Sequence, residues 1–208
     1  MGRERSECIR TWLFAVAFWP ALALATAPVD GTPRALIEHL ADQVIAVLRD
    51  PALSQKEKAE RIEEIAYDNV DVETVTRLVL ARHYRRFTPE QRREFVEEFK
   101  QHLLRTYGEQ LDEYRNVQVE ILGEREEARG DWTVQTKVKP GNAEEVYIDY
   151  RLRKKDGRWK IIDVVIERVS LVANFRSQFQ EILSTGTPEK LLEMLREKNR
   201  AEGDGGTR

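Results

Sequence analysis

The stretch from Trp159 to Leu183 reads WKIIDVVIERVSLVANFRSQFQEIL and joins a strand to a helix with almost no turn. Five of the six residues from Ile161 to Ile166 are Ile or Val, and Asp163 is the exception. This strand is apolar on both faces, which is typical of a strand that is covered on both sides. Ser170 stands just before the helical pattern and is predicted to be its N-cap.

Three segments before this strand alternate apolar and polar residues with a period of two: 117–121, 132–139 and 146–153. Turn residues separate the segments at 123–130, at Pro140-Gly141-Asn142 and at Asp156-Gly157. This pattern predicts four consecutive antiparallel strands that form a meander.

Helical periodicity appears on both sides of the meander. The predicted helices cover 33–50, 55–66, 71–86 and 89–114 before the sheet, and 170–184 and 188–199 after it. The order of N-terminal helices, sheet and C-terminal helices predicts an α+β fold with helices packed on one face of an antiparallel sheet.

The clearest helix start is Thr88-Pro89-Glu90-Gln91, which has the form of a capping box with proline at the first helical position. Apolar side chains then recur every four residues, at Phe95, Phe99, Leu103, Tyr107 and Leu111. Together with the strand that is apolar on both faces, this stripe exceeds what one contact between a helix and a sheet needs. The surplus indicates a cavity for an apolar ligand.

The first 27 residues have the pattern of a secretory signal peptide. Three arginines precede an apolar run that ends in Ala25-Thr26-Ala27. The alternative is an uncleaved anchor that holds an interaction module at a membrane, because the uncharged run from Thr11 to Val29 has 19 residues. Pro20 in this run and the small residues at its end favour cleavage and export.

We therefore predict a signal peptide at 1–27, one domain at 28–199 and a disordered tail at 200–208. The only cysteine, Cys8, lies in the signal peptide, so the mature chain forms no disulfide. The whole chain has a net charge of −3. The charges of both signs are mixed along the chain, which argues against a nucleic-acid partner.

The sequence carries few signs of catalysis or metal binding. The three histidines, His39, His83 and His102, lie in different helical segments without the spacing of metal ligands. The chain has no nucleophile elbow, no phosphate-binding glycine loop and no dinucleotide fingerprint.

Asp163 and Glu167 are the polar pair that deserves a catalytic hypothesis. Four residues apart in a strand, they point to the same face, and two carboxylates beside an apolar pocket can form an acid/base pair. An enzyme with Asp163 as its base and Tyr107 or Tyr150 as a donor is therefore the alternative to a binding protein.

Two parts of the sequence carry a resemblance to a known family: LARHYRRFTPEQ at 80–91 with the stripe that follows it, and the opening stretch at 159–183. They resemble the MlaC family of periplasmic phospholipid-binding proteins, which are also called toluene-tolerance auxiliary proteins. The resemblance covers 33–199. Arg168 stands where the family usually has Gly, and Ala81 and Tyr84 replace a common Gly and Trp.

The resemblance implies a deep apolar pocket that holds the acyl tails of a phospholipid or a related lipid. It implies no enzyme activity and no cofactor, with the lipid as cargo that moves between the two membranes and supports outer-membrane asymmetry. The implied partners are the MCE-domain ring of an inner-membrane ABC transporter and an outer-membrane lipoprotein–porin complex. The resemblance is compatible with a phospholipid and with a polycyclic lipid such as a hopanoid. It is also compatible with transport in either direction.

On this interpretation one face of the 159–166 strand packs on core and the other lines the pocket. The remaining lining residues are predicted from the four-residue spacing of the long helix and from strand alternation. The predicted lipid-binding residues are Leu103, Tyr107, Leu111, Val134, Val138, Ile148, Tyr150, Val165 and Val169. Because Val164 and Ile166 are as apolar as Val165, alternation does not decide which face of this strand lines the pocket.

Overall fold

The structure is a computed structural model that describes residues 31–108, 117–140 and 144–204. The predicted signal peptide lies outside these ranges. The helices are α1 (Pro33–Arg49), α2 (Gln55–Asn69), α3 (Val72–Leu80), α4 (Pro89–Gly108), α5 (Leu171–Thr185) and α6 (Pro188–Asp204). The strands are β1 (Gln118–Glu126), β2 (Trp132–Lys139), β3 (Val146–Lys155), β4 (Arg158–Ile166) and β5 (Val169–Ser170). Within the described ranges, no helix has both the length and the apolar character to cross a bilayer.

The sheet confirms the predicted meander and adds a strand to it. All neighbouring strands are antiparallel, in the order β1-β2-β3-β4-β5. We predicted four strands and missed β5, which has only two residues. Glu167 and Arg168 join β4 to β5 as a tight turn, with φ angles of 46° and 69°. Positive φ angles at both residues are typical of a two-residue hairpin turn.

The predicted capping residues hold the helix starts. The Ser170 hydroxyl accepts a hydrogen bond from the backbone N–H of Ala173 at 3.0 Å, so Ser170 is the N-cap of α5. At the start of α4, the Gln91 side chain accepts from the Thr88 N–H at 2.9 Å, and the Thr88 hydroxyl accepts from the Gln91 N–H at 3.2 Å. The capping box is thereby confirmed.

The ends of α3 and α6 differ most from the prediction. α3 ends at Leu80, and residues 81–86 form a 3-10 helix, because Ala81 has φ 47° and ψ −125° and breaks the α-helical geometry. α6 continues to Asp204, so residues 200–204 extend a helix where we predicted a disordered tail.

The helices lie on both sides of the sheet, and our prediction of a single covered face is wrong. Val164 of β4 packs against the cluster that contains Leu36 and Ile37 of α1. Its neighbour Asp163 accepts a hydrogen bond from the backbone N–H of Val172 in α5 at 3.1 Å. Successive side chains of a strand point to opposite faces, so α1 and α5 flank β4 from opposite sides.

The buried apolar residues form distinct clusters on the two sides. Helices α3 to α6 enclose one cluster, which we call the helical core. It contains four phenylalanine rings whose centroids lie 4.9–5.8 Å apart in pairs: Phe95, Phe99, Phe175 and Phe179. On the other side, α1 and the sheet share smaller aliphatic clusters.

Candidate functional site

A cavity of about 330 Å³ lies between α1, α2 and the sheet. Its wall is aliphatic except for one tyrosine. The lining residues are Ile37, Leu40, Ala41, Val44, Ile45, Leu48, Ile62, Ile65, Ala66, Val117, Val119, Val138, Ile148, Tyr150 and Ile161. We call this space the α1–α2 cavity. Its volume falls in the lower part of the range of small-molecule pockets.

The helical side of the cavity follows from four-residue spacing. Residues three and four apart share a helix face, so α1 turns a broad apolar face towards the sheet. This face has two rows, Ile37-Ala41-Ile45 and Leu40-Val44-Leu48. α2 is mostly charged but adds Ile62, Ile65 and Ala66 to the wall. Short side chains such as Ala41 and Ala66 leave space that a longer side chain would fill.

The sheet side of the cavity follows from alternation in β3. Ile148 and Tyr150 are two residues apart and therefore point to the same face. Tyr150 pairs with Val134 on one side and with Val164 on the other. Burial raises the pKa of the Tyr150 hydroxyl to about 12, so this group is neutral and protonated over the physiological pH range.

Three of the predicted lipid-binding residues lie on the cavity wall: Val138, Ile148 and Tyr150. Val134 lies beside it, fully buried in the cluster with Leu152 and Ile161. Lipid contact by these residues stays a prediction.

The structure places other predicted residues away from the cavity. Leu103 packs against the helical core. Val165 lies between Val164 and Ile166, which pair with Tyr150 and Ile148 of the cavity wall. Its side chain therefore points to the opposite face of the sheet. Val169 in β5 is 55% exposed. The Tyr107 side chain and Leu111 lie outside what the structure describes.

Sequence reasoning missed the α1 and α2 contribution. We included no residue of α1 in the predicted pocket, although Ala41 and Ile45 form a second apolar row beside Leu40 and Val44. A stripe wider than one row, with alanine in it, was the available signal. In α2, most of the residues around Ile62 and Ile65 in the sequence are charged, so periodicity did not indicate an apolar face.

Asp163 has a structural role at the joint between β4 and α5. Its carboxylate accepts hydrogen bonds from the Ser170 hydroxyl at 2.6 Å and from the Val172 N–H at 3.1 Å. The Arg151 guanidinium lies 3.3 Å from it. Asp163 shares a face with Val165 rather than with Tyr150, and it is not among the cavity-lining residues.

Glu167, the second carboxylate of the acid/base hypothesis, stabilises the β4–β5 turn. It accepts a hydrogen bond from the Tyr147 N–H at 2.7 Å, and its own N–H donates to the Tyr147 carbonyl at 3.0 Å. Among the described residues, no group of three or more His, Cys, Asp or Glu side chains is placed to hold a metal ion.

Comparison with known proteins gives two sequence relatives that match most of this chain. The chain is 25% identical to toluene tolerance protein ttg2D of Pseudomonas putida, over 84% of this chain and 81% of the relative. It is 23% identical to the intermembrane phospholipid transport system binding protein MlaC of Haemophilus influenzae, over 78% of this chain and 80% of that protein.

A solved structure has the same fold. It is the phospholipid-binding protein from Ralstonia solanacearum in complex with a phospholipid, which aligns with a TM-score of 0.76 and 27% identity. The alignment covers 83% of this chain and 99% of the other. The family profile described as MlaC protein matches residues 38–197, which is most of the chain. The chain therefore belongs to the MlaC family.

Proposed function

We propose that this protein is a periplasmic lipid carrier. It binds the acyl tails of a phospholipid or a related lipid in the α1–α2 cavity and shuttles the lipid between an inner-membrane and an outer-membrane complex. The docking partners are the MCE-domain ring of an ABC transporter and a lipoprotein–porin complex. The protein has no catalytic step, and the lipid is cargo rather than a cofactor.

The observation that carries this proposal is the composition of the cavity wall. Fourteen of its fifteen residues are aliphatic, and the remaining one is Tyr150. Such a wall offers no charge to bind a polar metabolite, but it matches an alkyl chain. An alkyl chain that enters the cavity leaves water for an apolar environment, and this transfer is favourable.

The energetics of lipid transit explain why a carrier needs such a wall. A lipid with two tails exposes about 30 methylene groups to water, at about 0.8 kcal/mol each. The total of about 24 kcal/mol forbids unaided transfer across an aqueous compartment. A protein that covers the tails removes most of this cost by contact alone, and no covalent chemistry is required.

The relatives support the same function. The Ralstonia protein is described as phospholipid-binding and holds a phospholipid, and the Haemophilus relative is the binding protein of an intermembrane phospholipid transport system. The folds superpose over nearly the whole of the Ralstonia chain. Membership of the family therefore agrees with the chemistry of the cavity.

Mass spectrometry of an organic extract tests the proposal. The exported protein is purified without detergent from a lipid-rich host, and the extract is compared with that of a mock purification. We expect about one lipid per protein. Repeated extracts without lipid, together with no uptake from added phospholipid vesicles, would contradict the carrier function.

A further inference from the structure

Tyr150 is the one residue of the cavity wall with a polar side chain. Thr136 is the next polar side chain on this face of β2, but its hydroxyl already donates to the Ile148 carbonyl at 2.8 Å. None of the residues that the structure describes forms a hydrogen bond with the Tyr150 hydroxyl. The wall thus holds one phenolic donor among aliphatic side chains.

An unpaired hydroxyl in this position has a consequence for the ligand. Water can hydrogen-bond to the hydroxyl while the cavity is empty, but alkyl chains that fill the cavity displace this water. A buried polar group that loses its partner weakens binding, whereas a ligand that replaces the partner avoids this loss. Because the pKa is raised to about 12, the hydroxyl keeps its proton and acts as a donor.

We propose that the Tyr150 hydroxyl donates a hydrogen bond to an oxygen atom of the bound lipid and thereby selects lipids that carry an acceptor oxygen within the apolar region. The inference rests on the proposed lipid-carrier function and adds a specificity-determining residue to it. Two lipid classes supply such an oxygen: diacyl lipids through an ester carbonyl, and polycyclic or hydroxylated lipids through a hydroxyl.

Matched lipid pairs test the inference. Lipid-free protein is incubated with vesicles that contain equal amounts of a diester phospholipid and its diether analogue, which has the same chains and head group but no ester carbonyls. A second set of vesicles contains a polycyclic alcohol and its deoxygenated analogue. Bound lipid is counted by native mass spectrometry.

Two tyrosine variants complete the design. Tyr150→Phe removes only the hydroxyl. Tyr147→Phe makes the same change three residues away, on a side chain that is 49% exposed and points to the other face of β3. The melting temperature of each lipid-free variant is also measured, since a structural hydroxyl would reveal itself by a loss of stability.

We expect the wild type and Tyr147→Phe to prefer the oxygen-bearing member of one pair by about threefold to tenfold, the contribution of one hydrogen bond. Tyr150→Phe loses this preference and still binds lipid. The pair that shows the effect identifies the source of the oxygen.

Two outcomes overturn the inference in distinguishable ways. Equal binding of both members in both pairs, with Tyr150→Phe like the wild type, refutes the role of Tyr150 and leaves the carrier function intact. Failure of the wild type to bind any of the four lipids refutes the carrier function itself.

Discussion

The helical core and the wall of the α1–α2 cavity are both built from apolar side chains, yet one is filled and the other is hollow. In the helical core, Phe95 contacts Phe99 and Phe179 at ring-centroid distances of 5.4 and 5.7 Å, and it is 0% exposed. Across the sheet, Ala41, Val44 and their neighbours surround about 330 Å³ of space.

The difference between the two regions is one of side-chain size. Aromatic rings from α4 and α5 interlock and fill the helical core together with leucines of α3 and α6, whereas alanine, valine and isoleucine are too short to close the gap between α1 and the sheet. Close packing is the usual state of protein interiors, and a cavity of this size forfeits contacts that a filled core would make. The protein keeps this less stable arrangement on the side where we propose that lipid binds.

Truncation in the helical core gives the largest expected effect. Phe95→Ala should lower the free energy of unfolding by about 3–5 kcal/mol, because it removes a fully buried ring and its aromatic neighbours cannot collapse into the space. Urea unfolding measures the loss. The matched change in the cavity wall, Leu40→Ala, should cost less than about 2 kcal/mol, since part of this side chain faces empty space. Equal losses at the two positions would erase the distinction between the regions.

The joint between the two regions gives the next effect. Asp163→Ala leaves the Ser170 hydroxyl and the Val172 N–H without their acceptor, so we expect a loss of about 2–3 kcal/mol by urea unfolding. The control is Asp149→Ala. Asp149 lies in β3 on the same face of the sheet as Asp163, and its loss should change the free energy of unfolding by less than about 0.5 kcal/mol. If Asp163→Ala kept full stability but lost a lipid-dependent chemical activity, the catalytic hypothesis would return.

Substitution by a larger side chain also distinguishes the helical core from the cavity wall. Leu183→Trp overpacks the helical core, where Leu183 is 0% exposed, and should cost about 1–3 kcal/mol. Ile148→Trp extends into the cavity and should cost less than about 1 kcal/mol while it lowers bound lipid. Thermal melting and lipid extraction measure the two effects. Unfolding by Ile148→Trp, or an unchanged lipid content, would mean that this strand face is ordinary core.

The smallest effect concerns backbone strain beside the helical core. Ala81 has φ 47° and ψ −125°, a conformation that glycine adopts far more readily, so Ala81→Gly should raise the free energy of unfolding by about 1 kcal/mol. The same substitution at Ala46, an exposed position in the middle of α1, should lower it by about 1 kcal/mol. Two changes of the same sign by urea unfolding would show that Ala81 is not strained.

Local patterns predicted most of the fold. The caps at Thr88 and Ser170 and the alternation of β2 and β3 depend on near neighbours in the chain, so the element order was readable from the sequence. The β5 strand was not, because two residues after a tight turn carry no periodicity. Ala81 and Arg168 stand where the resembled family usually has Gly, and both residues have positive φ angles. We drew no backbone prediction from these two departures.

The site was less predictable than the fold, for a physical reason. Periodicity shows which side chains are apolar and which face they share, but it does not show whether the facing layer fills the space between them. Ile148 and Tyr150 lie on the cavity wall, as predicted, because alternation fixes their face. Their contact with lipid stays a prediction. Leu103 was assigned to the pocket because the stripe of α4 is long and apolar, yet it packs, partly buried, against the helical core.

A photoreactive lipid tests the central claim most directly. A phospholipid with a diazirine in the middle of one acyl chain is loaded into the protein, irradiated, and located by mass spectrometry of the digested protein. The account predicts crosslinks in the cavity wall, within 37–48, 62–66 and 148–150, and fewer of them in Ile148→Trp. Crosslinks concentrated in the helical core, within 95–103 or 175–183, would contradict it.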